Sequence, residues 1–308
     1  MRGFAWGILF GLGLGSVTAS APYPAHAAGC ADIETGVRQA YEAATPERAV
    51  ALLKQAEGKT VCSGEVLALI GRNTAYSFYR KAYSGAVSDA ERERLLREGR
   101  TYGRPWQLLA ALADIEKAKG TDAARIEAGQ LYQEALEDIV NEKLNLESPP
   151  AATIGKLHRR AQEMRLLAKV YVVRPTRSSC SDGLGRHKFR SFTAVTTAVP
   201  IHFEYDKTEF TAEGRKAAED MHCYLTEQGM PAIDLVGHTD PRGTNARNKV
   251  LSEGRAAAVK AFLVAKGYTG IVRTSGKGPT EPFQSDDPGS YSQEERWQFD
   301  RRVELRRN

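Results

Sequence analysis

The stretch LVGHTDPRGTNARNKVLSEGRAAAV, residues 235–259, decides the fold of the second half of the chain. It begins inside an apolar run, AIDLVGH, that reads as a buried strand, and from Asn248 to Lys266 it reads as a helix. Between the two, Asp240-Pro241-Arg242-Gly243 has the residue order of a type I turn, with Asp first, Pro second and Gly fourth. One position disturbs the helix. At ~100° per residue, Arg255 falls among Leu251, Ala258, Val259 and Phe262, on the face that a helix normally buries. A buried guanidinium without a partner is costly. Arg255 therefore snorkels outward, bridges Asp240 as a structural ion pair, or meets an anion from outside.

Strand and helix periods alternate on both sides of this unit. Phe192 to Tyr205 is β-branched and aromatic, and Val199, Ile201, Phe203 and Tyr205 alternate as a strand does. A helix is predicted from Thr211 to Gln228, a strand at Ile271 to Ser275, and a closing strand at Arg302 to Leu305. This βαβαβ-β order calls for an α+β sandwich whose mixed sheet carries helices on one face, spanning residues 191–308. Of the consecutive pair Arg301 and Arg302, one is expected to anchor the last strand to an acid and the other to face solvent.

Before it, residues 174–190 (RPTRSSCSDGLGRHKFR) have linker composition, and residues 29–173 read as helices throughout. Thr45-Pro46, Pro105, Thr121 and Pro150 open helices, and Ser88 with Glu91 has the spacing of a capping box. A Tyr-x-x-Ala motif recurs at Tyr41, Tyr79 and Tyr132 without a constant period. Two readings fit this all-α domain: tetratricopeptide-like helical hairpins with a concave face for a protein or peptide partner, or an ordinary bundle with tyrosines in its core. Each side of the linker has its own apolar periodicity, so two independently folding units are expected.

At 308 residues, 42% hydrophobic and 26% charged, the chain is long enough for two cores. Its net charge of +5 and the lack of aromatic interleaving in the basic linker point away from nucleic acid. Arg2, the apolar run Phe4 to Val17 and the small residues Ala25-His26-Ala27-Ala28 form a signal-peptide pattern over residues 1–28, which implies export. Cys30, Cys62, Cys180 and Cys223 all follow it and are disulfide candidates in an oxidising compartment. The pairing Cys30 with Cys62 and Cys180 with Cys223 keeps each bridge on one side of the linker. Ala28-Gly29-Cys30 also resembles the end of a lipoprotein box, which makes a lipidated outer-membrane anchor the alternative. His202, His222 and His238 lie on three separate elements without ligand spacing, so no metal and no cofactor is expected. No nucleophile stands in a recognisable elbow, and the chain is not read as an enzyme.

Four motifs in order, FEYDKTEFTAEG (203–214), GHTDPRGTNARNKVLSEGRAAAV (237–259), GKGPTEPF (276–283) and FDRRVEL (299–305), resemble the OmpA-like C-terminal domain family. The resemblance covers about residues 195–306 and implies noncovalent binding of peptidoglycan through the diaminopimelate of its stem peptide. It assigns Asp240 and Arg255 to that ligand and matches the helix-opening asparagine to Asn248. Thr239 and Gly243 complete the ligand-binding set. It also implies a periplasmic protein attached to the cell wall, with peripheral outer-membrane association. Arg247, Gly254 and Asp300 depart from the family pattern, which is commonly aromatic, longer and polar, and asparagine at those positions. The chemistry agrees with the pair: diaminopimelate presents an ammonium and a carboxylate on one stereocentre, and an acid beside an arginine fork answers both.

Overall fold

The computed structural model describes residues 28–58, 62–141, 144–145, 148–168 and 196–307. The expected leader to residue 27, the linker 174–190 and Cys180 lie outside the described residues.

Among the described residues seven helices come first: α1 (Ala28–Glu42), α2 (Pro46–Glu57), α3 (Gly64–Ala82), α4 (Asp89–Arg100), α5 (Trp106–Lys119), α6 (Asp122–Ile139) and α7 (Ala151–Leu167). The capping residues do what their chemistry allows, with two departures. Ser88 and Thr121 accept from the backbone N–H three residues on, at 3.2 Å each. Glu91 does not close the reciprocal half of a box, because its carboxylate is held by Arg94 at 2.7 and 2.8 Å. Thr45 donates to the Ala40 carbonyl at 3.3 Å instead of capping α2. The start of α1 is tied to the α2–α3 connection by the Cys30–Cys62 disulfide, whose Cα atoms are 5.7 Å apart. The recurrent tyrosines serve two purposes. Tyr132 is fully buried, whereas Tyr41 and Tyr79 join Tyr76 and Tyr83 in a row of edge and tilted ring contacts along α1 and α3.

The second region contains β1 (Thr196–Val199), α8 (Ala212–Glu227), β2 (Ile233–His238), α9 (Asn245–Ala265), β3 (Val272–Gly278), α10 (Gln293–Asp300) and β4 (Val303–Arg307). The sheet order is β1-β4-β2-β3; β2 and β3 run parallel, and β4 is antiparallel to both β1 and β2. This is the expected mixed sheet. The first strand is shorter than its alternation suggested, because Pro200 has no N–H for the ladder, and beyond it Phe203 makes only an isolated bridge to Phe210. The central helix starts three residues earlier than predicted, capped by Thr244, which accepts from Arg247 N at 3.3 Å. Ile233, Leu235, Leu305, Met221, Leu225, Val259 and Leu263 form the core between the sheet and the pair α8 and α9.

The second face of the sheet is not open, and here the structure departs from the reading of a one-sided sandwich. The edge strand β1 meets α7, where Gln162 Oε1 accepts from Ala198 N at 3.1 Å and so satisfies a group that an exposed edge would leave to another chain. The connection from β3 to β4 folds back on the helices. Ala198, Tyr291 and Phe299 share one apolar cluster with Leu109, Leu131 and Met164, separate from the sheet's own core. Two regions that look self-contained in sequence thus share a buried seam. Phe299→Ala is expected to destabilise the full chain by about 3–5 kcal/mol, measured by denaturant melts. Residues 191–308 produced alone should bind a hydrophobic dye and self-associate; a cooperative monomer without dye binding would show that the seam is dispensable.

Candidate functional site

Close packing under α9 sets up the site. Gly237 in β2 lies so near α9 that a Cβ there would run into the Ser252 carbonyl oxygen. The Ser252 hydroxyl accepts from Gly278 N at 2.9 Å and donates to Lys249 O at 2.8 Å, fixing the ends of β2 and β3 beneath the first turns of the helix. The 239–244 loop therefore leaves the sheet beside α9. Thr239 N donates to Gly278 O at 3.0 Å. Asn248, 5% exposed, donates to the carbonyls of Asp240 and Arg242 at 3.2 and 2.9 Å, so its amide holds the loop in shape. Gly243 takes φ of 89°, in the left-handed region. The Thr239 hydroxyl is buried beside them and has no partner among the described residues.

Asp240 is enclosed by two arginines. Its Oδ1 accepts from Arg242 N at 3.0 Å and Nε at 3.3 Å, and its Oδ2 accepts from Arg242 Nη2 at 2.7 Å and Arg301 Nη1 at 2.8 Å. Burial alone would raise this carboxyl, but the hydrogen bonds from Arg242 and Arg301 outweigh it and hold it below the usual carboxylate range. Folded-state depression means that the stabilisation by Asp240 is fully present above its ordinary value of 3.8 and is lost only as pH falls through the lower folded value.

Arg255 is 6% exposed, and its Nε donates to the Lys207 carbonyl at 3.1 Å. Its guanidinium lies over the Phe203 ring, 5.0 Å from the centroid, and Phe203, Phe210 and Phe262 contact one another in series. The direct bridge to Asp240 that the sequence left open is absent: among the described residues no carboxylate lies within ion-pair distance of Arg255. Burial and the neighbouring Arg301 charge push its pKa down, while Asp240 and Asp206 pull the other way. The apolar face is thus answered by a cation stacked on aromatic rings, whose terminal nitrogens have no hydrogen-bond partner among the described residues.

The loop over α9 explains two departures from the family pattern. A Cβ on Gly254 would sit 2.9 Å from Thr208 Cγ2, so glycine lets the 203–210 loop come down on the helix. Arg247 pairs with Asp206 in that loop, which has φ of 59°. The loop leaves Tyr205 88% exposed. The third departure, Asp300, accepts from Phe283 N at 2.8 Å, and burial raises its pKa despite that bond.

Sequence reasoning missed Arg242 and Arg301 as ligands of Asp240. A usable signal existed: in a strand of period two, consecutive arginines point to opposite sides, and Glu304 stands on the side of Arg302. Arg302 is the one held by Glu304, at 2.6 Å, and Arg301 turns to Asp240 instead of facing solvent. His238 is buried, with Nε2 3.4 Å from Glu304 Oε2.

Residues 202–296 match the sequence model of the OmpA family, an OmpA family domain within the chain. Outer membrane protein A of Bordetella avium is 40% identical over 85 residues, which cover 27% of this chain and 44% of that protein. The peptidoglycan-associated lipoprotein of Pseudomonas aeruginosa is 33% identical over 115 residues, 37% of this chain and 63% of that protein. The chain thus spans less than two thirds of the length of either relative. Among solved structures, the peptidoglycan-associated lipoprotein of Burkholderia pseudomallei aligns at 24% identity over 34% of this chain and 86% of that one, with a TM-score of 0.29.

Asn248→Ala should leave the Asp240 and Arg242 carbonyls short of a donor, at a cost of roughly 1–3 kcal/mol. Hydrogen exchange should then report faster opening of the amides of residues 239–244.

Proposed function

We propose that the chain is a noncatalytic cell-envelope protein that binds peptidoglycan noncovalently through the diaminopimelate of the stem peptide, and that its helical region meets a protein partner. The observation that carries this reading is the buried Arg255, which has no carboxylate partner among the described residues, beside an ionised Asp240. Three guanidinium groups, Arg242, Arg255 and Arg301, face two carboxylates, Asp240 and Glu294, so the site has one positive charge in excess. A ligand carboxylate on Arg255 neutralises it with charge-assisted hydrogen bonds.

The ligand ammonium needs Asp240, whose oxygens are already filled. A carboxylate offers about four acceptor positions, and Arg242 and Arg301 occupy them. Arg242 is the arginine that yields: its side chain is 46% exposed, and it already lies over Trp297 at 4.8 Å with Glu294 at 3.9 Å. Kept over Trp297 and turned from Asp240 toward Glu294, it opens Asp240 to the ammonium without leaving a charge unpaired.

The same reading places the protein in the periplasm, attached to the wall and associated with the outer membrane. No helix among the described residues is long and apolar enough to cross a membrane. Attachment through a lipid on Cys30 is disfavoured, because that sulfur is bonded to Cys62.

Asp240→Ala and Arg255→Ala should each weaken binding of a soluble diaminopimelate-containing stem peptide by roughly ten-fold or more, from ~1.5 kcal/mol per lost charged hydrogen bond. Calorimetric titration measures this, with a melt of each variant to confirm folding. A stem peptide with lysine in place of diaminopimelate lacks the second carboxylate and should bind the wild type more weakly, and Arg255→Ala should erase that preference. If both alanine variants fold and bind as the wild type does, the assignment of the pair is wrong.

A further inference from the structure

The rim of the site is supplied by α10, and α10 is held by the helical region. Glu163 of α7 is 0% exposed, and all three of its hydrogen bonds among the described residues come from the β3–β4 connection. Its Oε1 accepts from Asp286 N at 2.7 Å and Ser285 Oγ at 2.9 Å, and its Oε2 accepts from Tyr291 Oη at 2.7 Å. Arg160, on the same helix, donates to Asp286 at 3.0 Å; Arg125 of α6 pairs with Glu295; and Gln298 donates to the Leu166 carbonyl at 2.8 Å. Phe299, 1% exposed, packs between Phe283 and Tyr291 in the helical core.

A second face of the same helix builds the site. Trp297 lies under the Arg242 guanidinium, Glu294 accepts from Arg301 at 3.1 Å, and Arg301, which ends the helix, holds Asp240. Residues 294, 297 and 301 follow helical spacing, as do 295, 298 and 299, so one short helix presents one side to the ligand site and another to α6 and α7.

We propose that docking of the helical region onto α10 sets the affinity of the wall-binding site, with Glu163 and Arg125 as positioning residues that act through Arg301 and Trp297. The inference rests on the diaminopimelate reading given above. Its direction follows from the two tasks of α10. Releasing α10 slackens the Arg301 brace on Asp240 and takes away Trp297 and Glu294, the contacts that hold Arg242 when it gives up Asp240. Arg242 then stays on Asp240 and keeps the ammonium out. By reciprocity, wall binding and any partner that shifts α7 against α10 alter each other's affinity by the same factor.

The test uses the full chain and a soluble diaminopimelate-containing stem peptide in calorimetric titrations. Arg125→Glu, set against Glu295 at a partly exposed contact, should weaken binding at least about five-fold, the low end of ordinary coupling between sites. The conservative Arg125→Lys, which keeps the positive charge against Glu295 and leaves the Ser292–Glu295 capping box untouched, should bind as the wild type does. Glu163→Ala should weaken binding as Arg125→Glu does. Glu163→Gln should retain it, because the amide can accept from Asp286 N and donate to the Tyr291 hydroxyl oxygen. Folded Arg125→Glu and Glu163→Ala variants with wild-type affinity overturn the inference and leave the diaminopimelate reading intact. A wild-type chain that does not bind the peptide overturns both.

Discussion

A guanidinium already stripped of most of its water, with no carboxylate partner among the described residues, is the constraint on which the second half of the chain depends. Desolvating Arg255 costs stability, and the protein offsets only part of that through one carbonyl, the face of Phe203 and the more distant charge of Asp240. The expense falls in the folding of the free protein. A carboxylate that arrives afterwards meets a cation that is already dehydrated and held in place, so its binding need not repeat that cost. The same logic explains the aromatic series Phe203, Phe210 and Phe262. These rings keep the arginine from snorkelling to the surface, where a fully hydrated cation would be a weaker anion receptor.

Asp240 is prepared differently. Two arginines keep it ionised and oriented, and they also fill it. A site built for a ligand carrying both charges needs its acid protected from stray cations and its base open to anions. One exposed arginine on the acid and none of the described acids on the base produce that asymmetry. The excess positive charge also biases the first encounter toward the carboxylate end of the ligand.

Much of this was legible in the sequence because it depends on local periods. Alternation and 3.6-residue spacing gave the strand and helix order, and Thr211, Thr121 and Ser88 cap as their chemistry predicts. The pair Asp240 and Arg255 stood out because one broke an apolar face and the other opened a turn. What stayed hidden depends on distant partners. Thr45 and Glu91 have cap-like spacing, but other acceptors and donors took their side chains. Glu163 and Gln162 look like ordinary polar positions of an amphipathic helix, yet both are buried by residues far along the chain. Phe299 read as part of a motif, and nothing near it shows that its ring leaves the sheet for the helical core.

The β3–β4 connection is the element that sequence reading undervalued most, since a Pro-, Ser- and Asp-rich stretch looks like a surface excursion. It is a wedge fixed at both ends. Near its start, Asp300 reaches back to Phe283 N and draws the two ends of the excursion together, and Arg302 stacks over Phe283 while donating to the Glu281 carbonyl. At its middle, Tyr291 binds Glu163, and a complete capping box of Ser292 and Glu295 starts α10 at a defined residue. A helix of two turns has little stability of its own. Its position is therefore dictated by these attachments, and the only side chains it can deliver to Asp240 and Arg242 are those the attachments leave facing them. That dependence is why the geometry of the site in the second region cannot be separated from the packing of the first.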